Sequence, residues 1–172
     1  MPTIHVCPWE EVPAVSALIR PVRRITLRDP TNVSETPPEV RPDLHLRIGM
    51  NDIAEVLPGM TPPGVEHVER IIAFLRDWDV KAPLLVHCFA GVSRSMATAF
   101  IAMSILNEGR EAEAARLIRD AADHAQPNRR IIALADDLLG RGGRMVDAVA
   151  AMGPARPTYL GRHVTLPAYL ER

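Results

Sequence analysis

The chain has 172 residues, of which 47 % are hydrophobic and 24 % charged, a composition typical of one globular domain with a sizeable core. Its formal net charge of −1 argues against a protein that coats nucleic acid or binds an anionic membrane surface. Lys81 is the only lysine among the 20 basic residues. This arginine- and alanine-rich composition indicates a GC-rich bacterial genome.

The first third of the chain predicts short strands separated by loops. β-branched runs predict strands over residues 3–7 and 24–27, with a short helix between them that Pro13 weakens. Residues 29–42 are rich in proline and predict a surface loop, which leads to a strand over residues 44–48. The N-terminal sequence has no basic start followed by an apolar core, so no signal peptide is expected, and no apolar run is long enough to span a bilayer.

The rest of the chain predicts one buried strand and several helices. A helix is expected to begin at Pro62 or Pro63, and the continuous apolar run at residues 83–88 predicts a central strand. Helices are then predicted over residues 93–108, 111–125, 128–143 and 144–153. Residues 1–153 are expected to form the main domain, and residues 154–172, which match no pattern, a tail packed on it. This order predicts an α/β fold, a single layered domain whose central mixed, largely parallel sheet is flanked by helices.

The stretch LLVHCFAGVSRSMATAF, residues 84–100, places a cysteine at the end of the predicted central strand. In α/β sheets, ligands bind beside the carboxyl ends of the strands. The loop after Cys88 leads into a helix N-terminus, where backbone N–H groups and the helix dipole attract anions. Gly91 permits the sharp turn of the chain. The residues predicted to bind a phosphate group are Phe89, Ala90, Gly91, Val92, Ser93 and Arg94.

The same stretch predicts nucleophilic chemistry. Cysteines at helix N-termini ionise more readily than free cysteine, so Cys88 is predicted to be a thiolate nucleophile. Arg94 offers a planar fork that matches a phosphate group, Ser95 a hydroxyl hydrogen bond to the sulfur, and His87 a hydrogen bond that holds the loop. The alternative is that Cys88 is only a small buried hydrophobe and Arg94 a solvated residue at the start of a helix.

The sequence HCFAGVSRS resembles the signature loop of the cysteine-dependent protein tyrosine phosphatases, and most closely that of the dual-specificity subgroup. The pattern of that family is His-Cys, five residues, Arg, then Ser or Thr, which His87, Cys88, Arg94 and Ser95 match. The resemblance implies a phosphatase-like catalytic domain over residues 1–153. It also implies a two-step reaction through a cysteinyl-phosphate, with no metal or cofactor. It is strong over residues 83–107, fair over 44–135 and absent from the tail.

The departing oxygen of a phosphate ester needs a proton, which a carboxylic acid on another loop supplies. The upstream candidates are Asp43, Asp52, Glu55, Asp77 and Asp79. Asp52 follows the strand over 44–48 at the edge of the sheet expected to carry Cys88, in a proline-rich loop able to move as a lid. The resemblance implies an acid some thirty-odd residues before the cysteine. Asp52 is therefore the predicted acid, and Glu55 is the second choice. The alternative for Asp52 is that it only caps a helix or turn.

Three further residues are weaker candidates for a role in the site. Asn128, in a Pro-Asn pair that resembles a segment of the family, is predicted either to support the phosphate loop or only to cap a helix. Gln126 is a weaker candidate for orienting water. Cys7 fits a buried strand position better than a partner for oxidised Cys88. Two cysteines cannot form a disulfide framework or a four-thiolate zinc site, and they are typical of a reducing cytosol.

The expected substrate is a phosphorylated protein or a small phosphate ester, because the loop lacks the lysines expected for a polyanionic lipid. Phe89 is a candidate wall of the pocket. Nucleic acid, membrane and metal are not expected as partners, and the oligomeric state is left open. Two other functions stay possible at this point. One is a phosphate-binding module without turnover, and the other is sulfur transfer of the rhodanese type, which thiosulfate:cyanide activity would reveal.

Overall fold

Five strands form the centre of the molecule. The computed structural model describes residues 2–21 and 23–171; Met1, Val22 and Arg172, which fall within the predicted ranges, lie outside the described residues. The strands are β1 (Thr3–Pro8), β2 (Arg23–Arg28), β3 (His45–Gly49), β4 (Leu84–Cys88) and β5 (Val164–Pro167). They form one sheet in the order β3-β2-β4-β1-β5. Neighbouring strands are parallel except β5, which runs antiparallel to β1.

In the described part of the chain, six α-helices flank this sheet. They are α1 (Val12–Ile19), α2 (Val65–Arg76), α3 (Arg94–Leu106), α4 (Glu111–Ala121), α5 (Arg129–Leu139) and α6 (Arg144–Ala150). α2 is amphipathic and buries Val68, Ile71 and Leu75, whereas α3 is buried along its length from Arg94 to Ser104. A helix enclosed on all sides needs no polar face, which explains the run of alanine and methionine in α3.

The two faces of the sheet differ in composition, because successive side chains of a strand point to opposite sides. One face carries Ile4, Val6, Ile25 and Val86, which join the main core with residues of α2 to α6. On the other face, Cys7 and Leu85 pack with Val15 of α1 in a smaller cluster. The rest of this second face is polar; its buried residues include His5, Arg24, Thr26, His45 and His87.

The bounds of several observed helices differ from the predicted ones; α5 and α6, for example, end at Leu139 and Ala150. A 3-10 turn at Trp9–Glu11 precedes α1, and Pro13 lies in the first turn of that helix, where its missing N–H is harmless. α2 begins at Val65, after Pro62 and Pro63. α4 ends at Ala121, because the next residues turn toward the loop after β4, where the Gln126 N–H donates to the Val92 carbonyl at 2.9 Å.

The tail contributes β5, which the sequence did not predict. Beyond β5, the Asn107 side chain donates to the Ala168 carbonyl at 2.9 Å and accepts from the Leu170 N–H at 2.8 Å. The predicted α/β fold, with its mixed and largely parallel sheet flanked by helices, is confirmed. Within residues 2–21 and 23–171, no helix is long and apolar enough to cross a membrane.

Candidate active site

The residues singled out in the sequence lie at the carboxyl end of the parallel strands. β4 ends at Cys88, residues 89–93 form a loop, and α3 begins at Arg94. The Cys88 sulfur is buried, and it accepts a hydrogen bond from the Gly91 N–H at 3.3 Å and lies 3.1 Å from the Ser95 hydroxyl oxygen. Two hydrogen-bond donors can therefore stabilise negative charge on this sulfur.

The carbonyl groups of the loop are bound by the segments around it. Phe89, Ala90 and Val92 accept from the backbone N–H groups of Trp9 at 3.1 Å, Gly161 at 2.8 Å and Gln126 at 2.9 Å, respectively. Because the C=O and N–H of a trans peptide point in opposite directions, these contacts turn the following N–H groups toward the inside of the loop. Inward N–H groups are the arrangement by which a backbone nest holds an anion.

Gly91 is required by its backbone conformation and by its neighbours. Its φ is +69°, which is unfavourable for a residue with a Cβ. A Cβ at this position would lie 2.7 Å from the Pro8 nitrogen and 2.8 Å from the Cys7 carbonyl carbon. The loop after β4 is thus pressed against the end of β1, and only glycine fits there.

Arg94 is buried and held from one side. Its Nη1 donates to the Met50 carbonyl at 2.6 Å and to the Asp29 carboxylate at 2.9 Å. Its Nε is buried with no hydrogen-bond partner in the part of the chain that the structure describes. The guanidinium is therefore held on one side, while its Nε is a buried donor without a partner among the described residues, which is an unusual state for a buried polar group. Asp29 was not among the predicted site residues, because nothing in a proline-rich loop signals a contact with a residue so far along the chain.

The structure brings Asp52 to the loop. Its Oδ1 accepts hydrogen bonds from the Ser93 hydroxyl at 2.7 Å and from the Asn128 side-chain amide at 2.9 Å. Its side chain is otherwise exposed. Glu55 is also exposed, and among the described residues no hydrogen bond or ion pair links its carboxylate to the loop.

Asn128 makes two kinds of contact at once. Its side-chain oxygen accepts from the backbone N–H groups of Arg130 and Ile131, both at 3.1 Å, and so caps α5. Its amide nitrogen donates to Asp52 and to the Ile53 carbonyl, the latter at 3.2 Å. Gln126, by contrast, reaches the loop through its backbone, and its side chain is exposed.

His87 belongs to a buried polar network behind the loop. Its Nε2 lies 2.7 Å from the Thr26 hydroxyl oxygen, which is also 2.7 Å from His45 Nε2. The His45 Nδ1 lies 3.0 Å from the Thr36 hydroxyl oxygen. Burial lowers the pKa of His87 to about 3 and that of His45 to about 4, so both rings are neutral at pH 7. These neutral rings link β4 to β2 and β3.

Cys7 lies on β1, the strand that pairs with β4, but its side chain points to the other face of the sheet from that of Cys88. In the pairing of β1 with β4, Cys7 is opposite His87, while Pro8 is opposite Cys88. Adjacent positions of a strand point to opposite faces, so the two sulfur atoms lie on different sides of the sheet. Burial raises the pKa of Cys7 to about 12.

Comparison with known proteins gives the fold. No family model and no curated protein matches the sequence. Among solved structures, the crystal structure of DUSP15, a dual-specificity phosphatase, is similar to this chain with a TM-score of 0.60 and 18 % sequence identity. The similarity covers 88 % of this chain and 91 % of that one. The chain therefore has the α/β fold of the tyrosine and dual-specificity phosphatases.

Proposed function

We propose that this protein is a cysteine-dependent phosphatase that hydrolyses phosphate monoesters, with phosphotyrosine or phosphoserine and phosphothreonine in proteins as its substrates. One observation carries the proposal: the Cys88 sulfur accepts from the Gly91 N–H at 3.3 Å and lies 3.1 Å from the Ser95 hydroxyl oxygen, in a loop that ends at the buried Arg94. The fold it shares with a dual-specificity phosphatase supports the same conclusion.

The substrate phosphate binds in the loop of residues 89–94. The inward N–H groups and the N-terminus of α3 stabilise its negative charge. Arg94 presents its unpartnered Nε to the phosphate, while Asp29 and the Met50 carbonyl fix the opposite side of the guanidinium. This arrangement needs no reorganisation when charge develops on the transferring phosphoryl group.

In the first step, the Cys88 thiolate attacks phosphorus, a sulfur–phosphorus bond forms, and the bond from phosphorus to the ester oxygen breaks. Asp52 gives its proton to the departing oxygen. Ser93 and Asn128 both bind Oδ1 of Asp52, which leaves Oδ2 as the oxygen that carries the proton. The product is a cysteinyl-phosphate, and the alcohol or phenol leaves.

In the second step, water hydrolyses the cysteinyl-phosphate. Asp52, now a carboxylate, takes a proton from the attacking water, and the sulfur–phosphorus bond breaks. The Ser95 hydroxyl, 3.1 Å from the sulfur, donates to the departing thiolate. Inorganic phosphate is released. A reducing cytosol, which the two free cysteines favour, keeps the nucleophile active.

The first experiment measures hydrolysis of para-nitrophenyl phosphate with reductant and without added metal. Cys88→Ser is expected to lower turnover by at least about 10³-fold, and a chelator to have no effect. Cys7→Ala is the matched control, since it removes the other buried thiol on the opposite face of the sheet, and it is expected to retain activity. Equal rates for Cys88→Ser and the wild type would overturn the proposal. No turnover with inorganic phosphate still bound would favour the phosphate-binding module.

A further inference from the structure

An arginine lies between two aromatic rings at the edge of the loop after β4. The Cζ of Arg28, the last residue of β2, is 5.0 Å from the ring centroid of Trp9 and 5.6 Å from that of Phe89. Phe89 directly follows Cys88, and Trp9 directly follows β1. Three separate parts of the chain thus meet beside the proposed phosphate site.

This arrangement is fixed in place. The Trp9 backbone N–H donates to the Phe89 carbonyl at 3.1 Å, which ties the turn after β1 to the loop. The two rings attract the guanidinium through their faces. A guanidinium held by its faces keeps the N–H donors along its edge available for a planar anion.

Unlike Arg94 and Arg23, Arg28 forms no ion pair with a carboxylate among the described residues. Arg94 pairs with Asp29 at 2.9 Å, and Arg23 pairs with Asp77 at 2.6 Å. Within the described part of the chain, no hydrogen bond and no ion pair ends on the Arg28 side chain. Arg28 is only partly buried, so an incoming ligand can reach it. A positioned cation of this kind is ready to receive a negative group from outside the protein.

A second aromatic ring also contacts Phe89. The Tyr159 ring packs against Phe89 edge to face, with centroids 6.0 Å apart. The Tyr159 side chain is 79 % exposed, so this contact is aromatic and open. Arg28 supplies the positive charge in this group of side chains, so an acidic group beside the substrate phosphate would be attracted to it.

We propose that Arg28 recognises an acidic side chain next to the phosphorylated residue of a protein substrate. This inference rests on the proposed function and adds a sequence preference to it. With the phosphate seated above Cys88, the neighbouring residues of an extended peptide pass over Phe89. A glutamate or aspartate there forms a charge-assisted, bidentate pair with the Arg28 guanidinium.

The test uses two phosphotyrosine peptides of equal length, one with glutamates and the other with glutamines on both sides of the phosphotyrosine. kcat/KM for each is measured with the wild type, Arg28→Gln, Arg28→Lys and Arg116→Gln. Arg116 is exposed on α4 and is the matched control for loss of one positive charge. The measured quantity is the ratio of the two peptides for each protein, so a general loss of folding or activity cancels.

The wild type is expected to prefer the glutamate peptide by about tenfold at low salt. Arg28→Gln is expected to bring the ratio close to one, and Arg116→Gln to retain it. Arg28→Lys keeps the charge but loses the planar stack, and an intermediate ratio is expected. If Arg28 only braced Trp9 against the loop, both peptides would be affected equally.

Binding of the same peptides to Cys88→Ser, with and without Arg28→Gln, separates this inference from the proposed function. A glutamate preference in Cys88→Ser that Arg28→Gln abolishes supports the role of Arg28 even if the wild type hydrolyses nothing. Turnover of para-nitrophenyl phosphate without any preference between the peptides would overturn the inference and leave the phosphatase intact. A preference that survives Arg28→Gln would assign the recognition to another residue.

Discussion

The two faces of the sheet each carry a buried cysteine and a buried arginine, yet their surroundings differ. On one face, Cys88 meets the Gly91 N–H and the Ser95 hydroxyl, and Arg94 is held by Asp29. On the other, Cys7 packs with Val15 and Leu85 beneath α1. The first cysteine is surrounded by hydrogen-bond donors and the second by hydrocarbon.

The comparison shows that two buried cysteines of one sheet can have very different neighbours. Burial among apolar groups raises the pKa of Cys7 to about 12, so only about 10⁻⁵ of it is thiolate at pH 7. Arg24, buried on the same side of the sheet as Cys7, donates to the Ser16 hydroxyl at 2.8 Å. This contact is structural, whereas the loop and helix that follow Cys88 form the proposed anion site.

The largest effect that would sharpen this comparison is expected from the two arginines. Arg94→Lys is expected to lower kcat for para-nitrophenyl phosphate by about 10³-fold, because a point charge cannot both bind Asp29 and present a fork to the phosphate. Arg24→Lys, the matched change on the other face, is expected to lower the free energy of unfolding and leave kcat within about threefold. Steady-state kinetics and urea unfolding of both variants provide the measurements. Similar kcat values for the two variants would mean that the faces are not functionally distinct.

The next effect concerns the proposed general acid. Asp52→Asn is expected to lower kcat/KM for aryl phosphates by about 10²-fold, because the amide keeps the contacts with Ser93 and Asn128 but cannot pass a proton. Glu55→Gln, three residues along the same exposed loop, is expected to stay near the wild-type rate. The pH dependence of kcat/KM for the three proteins gives the answer. A larger loss in Glu55→Gln would transfer the role of acid to Glu55.

A smaller effect, on stability, is expected where the loop after Cys88 packs on the backbone of Cys7 and Pro8. Gly91→Ala places a Cβ within 2.8 Å of the Pro8 and Cys7 backbone in addition to its positive φ, and should cost about 3 kcal/mol of stability. Gly109→Ala is the matched control, since Gly109 has a φ of +82° and open space around its Cβ position, and should cost about 1 kcal/mol. Urea unfolding compares the two. Equal losses would show that only the backbone angle matters at Gly91.

The smallest effect concerns the polar face. Burial holds the pKa of His45 at about 4 in the folded protein, against its ordinary value of 6.5. The unfolded chain therefore binds more protons than the folded one over this interval, and stability is expected to fall as the pH drops from about 6.5 to about 4. His45→Gln, which can keep a hydrogen bond to Thr26, should make this fall shallower. His67→Gln, on α2, is the control, and an identical slope in both variants would contradict the expectation.

Much of the fold follows from local sequence patterns. The apolar run of β4 and the amphipathic spacing of α2 and α5 are properties of neighbouring residues, and they predicted these elements well. β5 was not predicted, because a four-residue edge strand is stabilised by its pairing with β1 rather than by its own composition. The end of α4 at Ala121, earlier than predicted, has a similar reason, since it depends on the contact between Gln126 and Val92.

The candidate site also has residues that the local sequence predicts and residues that only tertiary contacts reveal. The residues from Cys88 to Ser95 are contiguous, so their spacing alone suggested a phosphate loop. Asp52 was chosen from the position of β3 in the chain, and the structure places it 2.7 Å from the Ser93 hydroxyl. Asp29 and Arg28 could not be found, because their meaning depends on tertiary contacts with Arg94 and with two aromatic rings. The roles of all these residues stay predictions.

The hydrogen bond from the Gly161 N–H to the Ala90 carbonyl has a consequence for biosynthesis. A ribosome makes the loop around Cys88 about seventy residues before it makes Gly161. A nascent chain that still lacks Gly161 carries the cysteine and the arginine but leaves the Ala90 carbonyl without this partner. The loop can therefore complete its set of contacts only after residue 161 has been made.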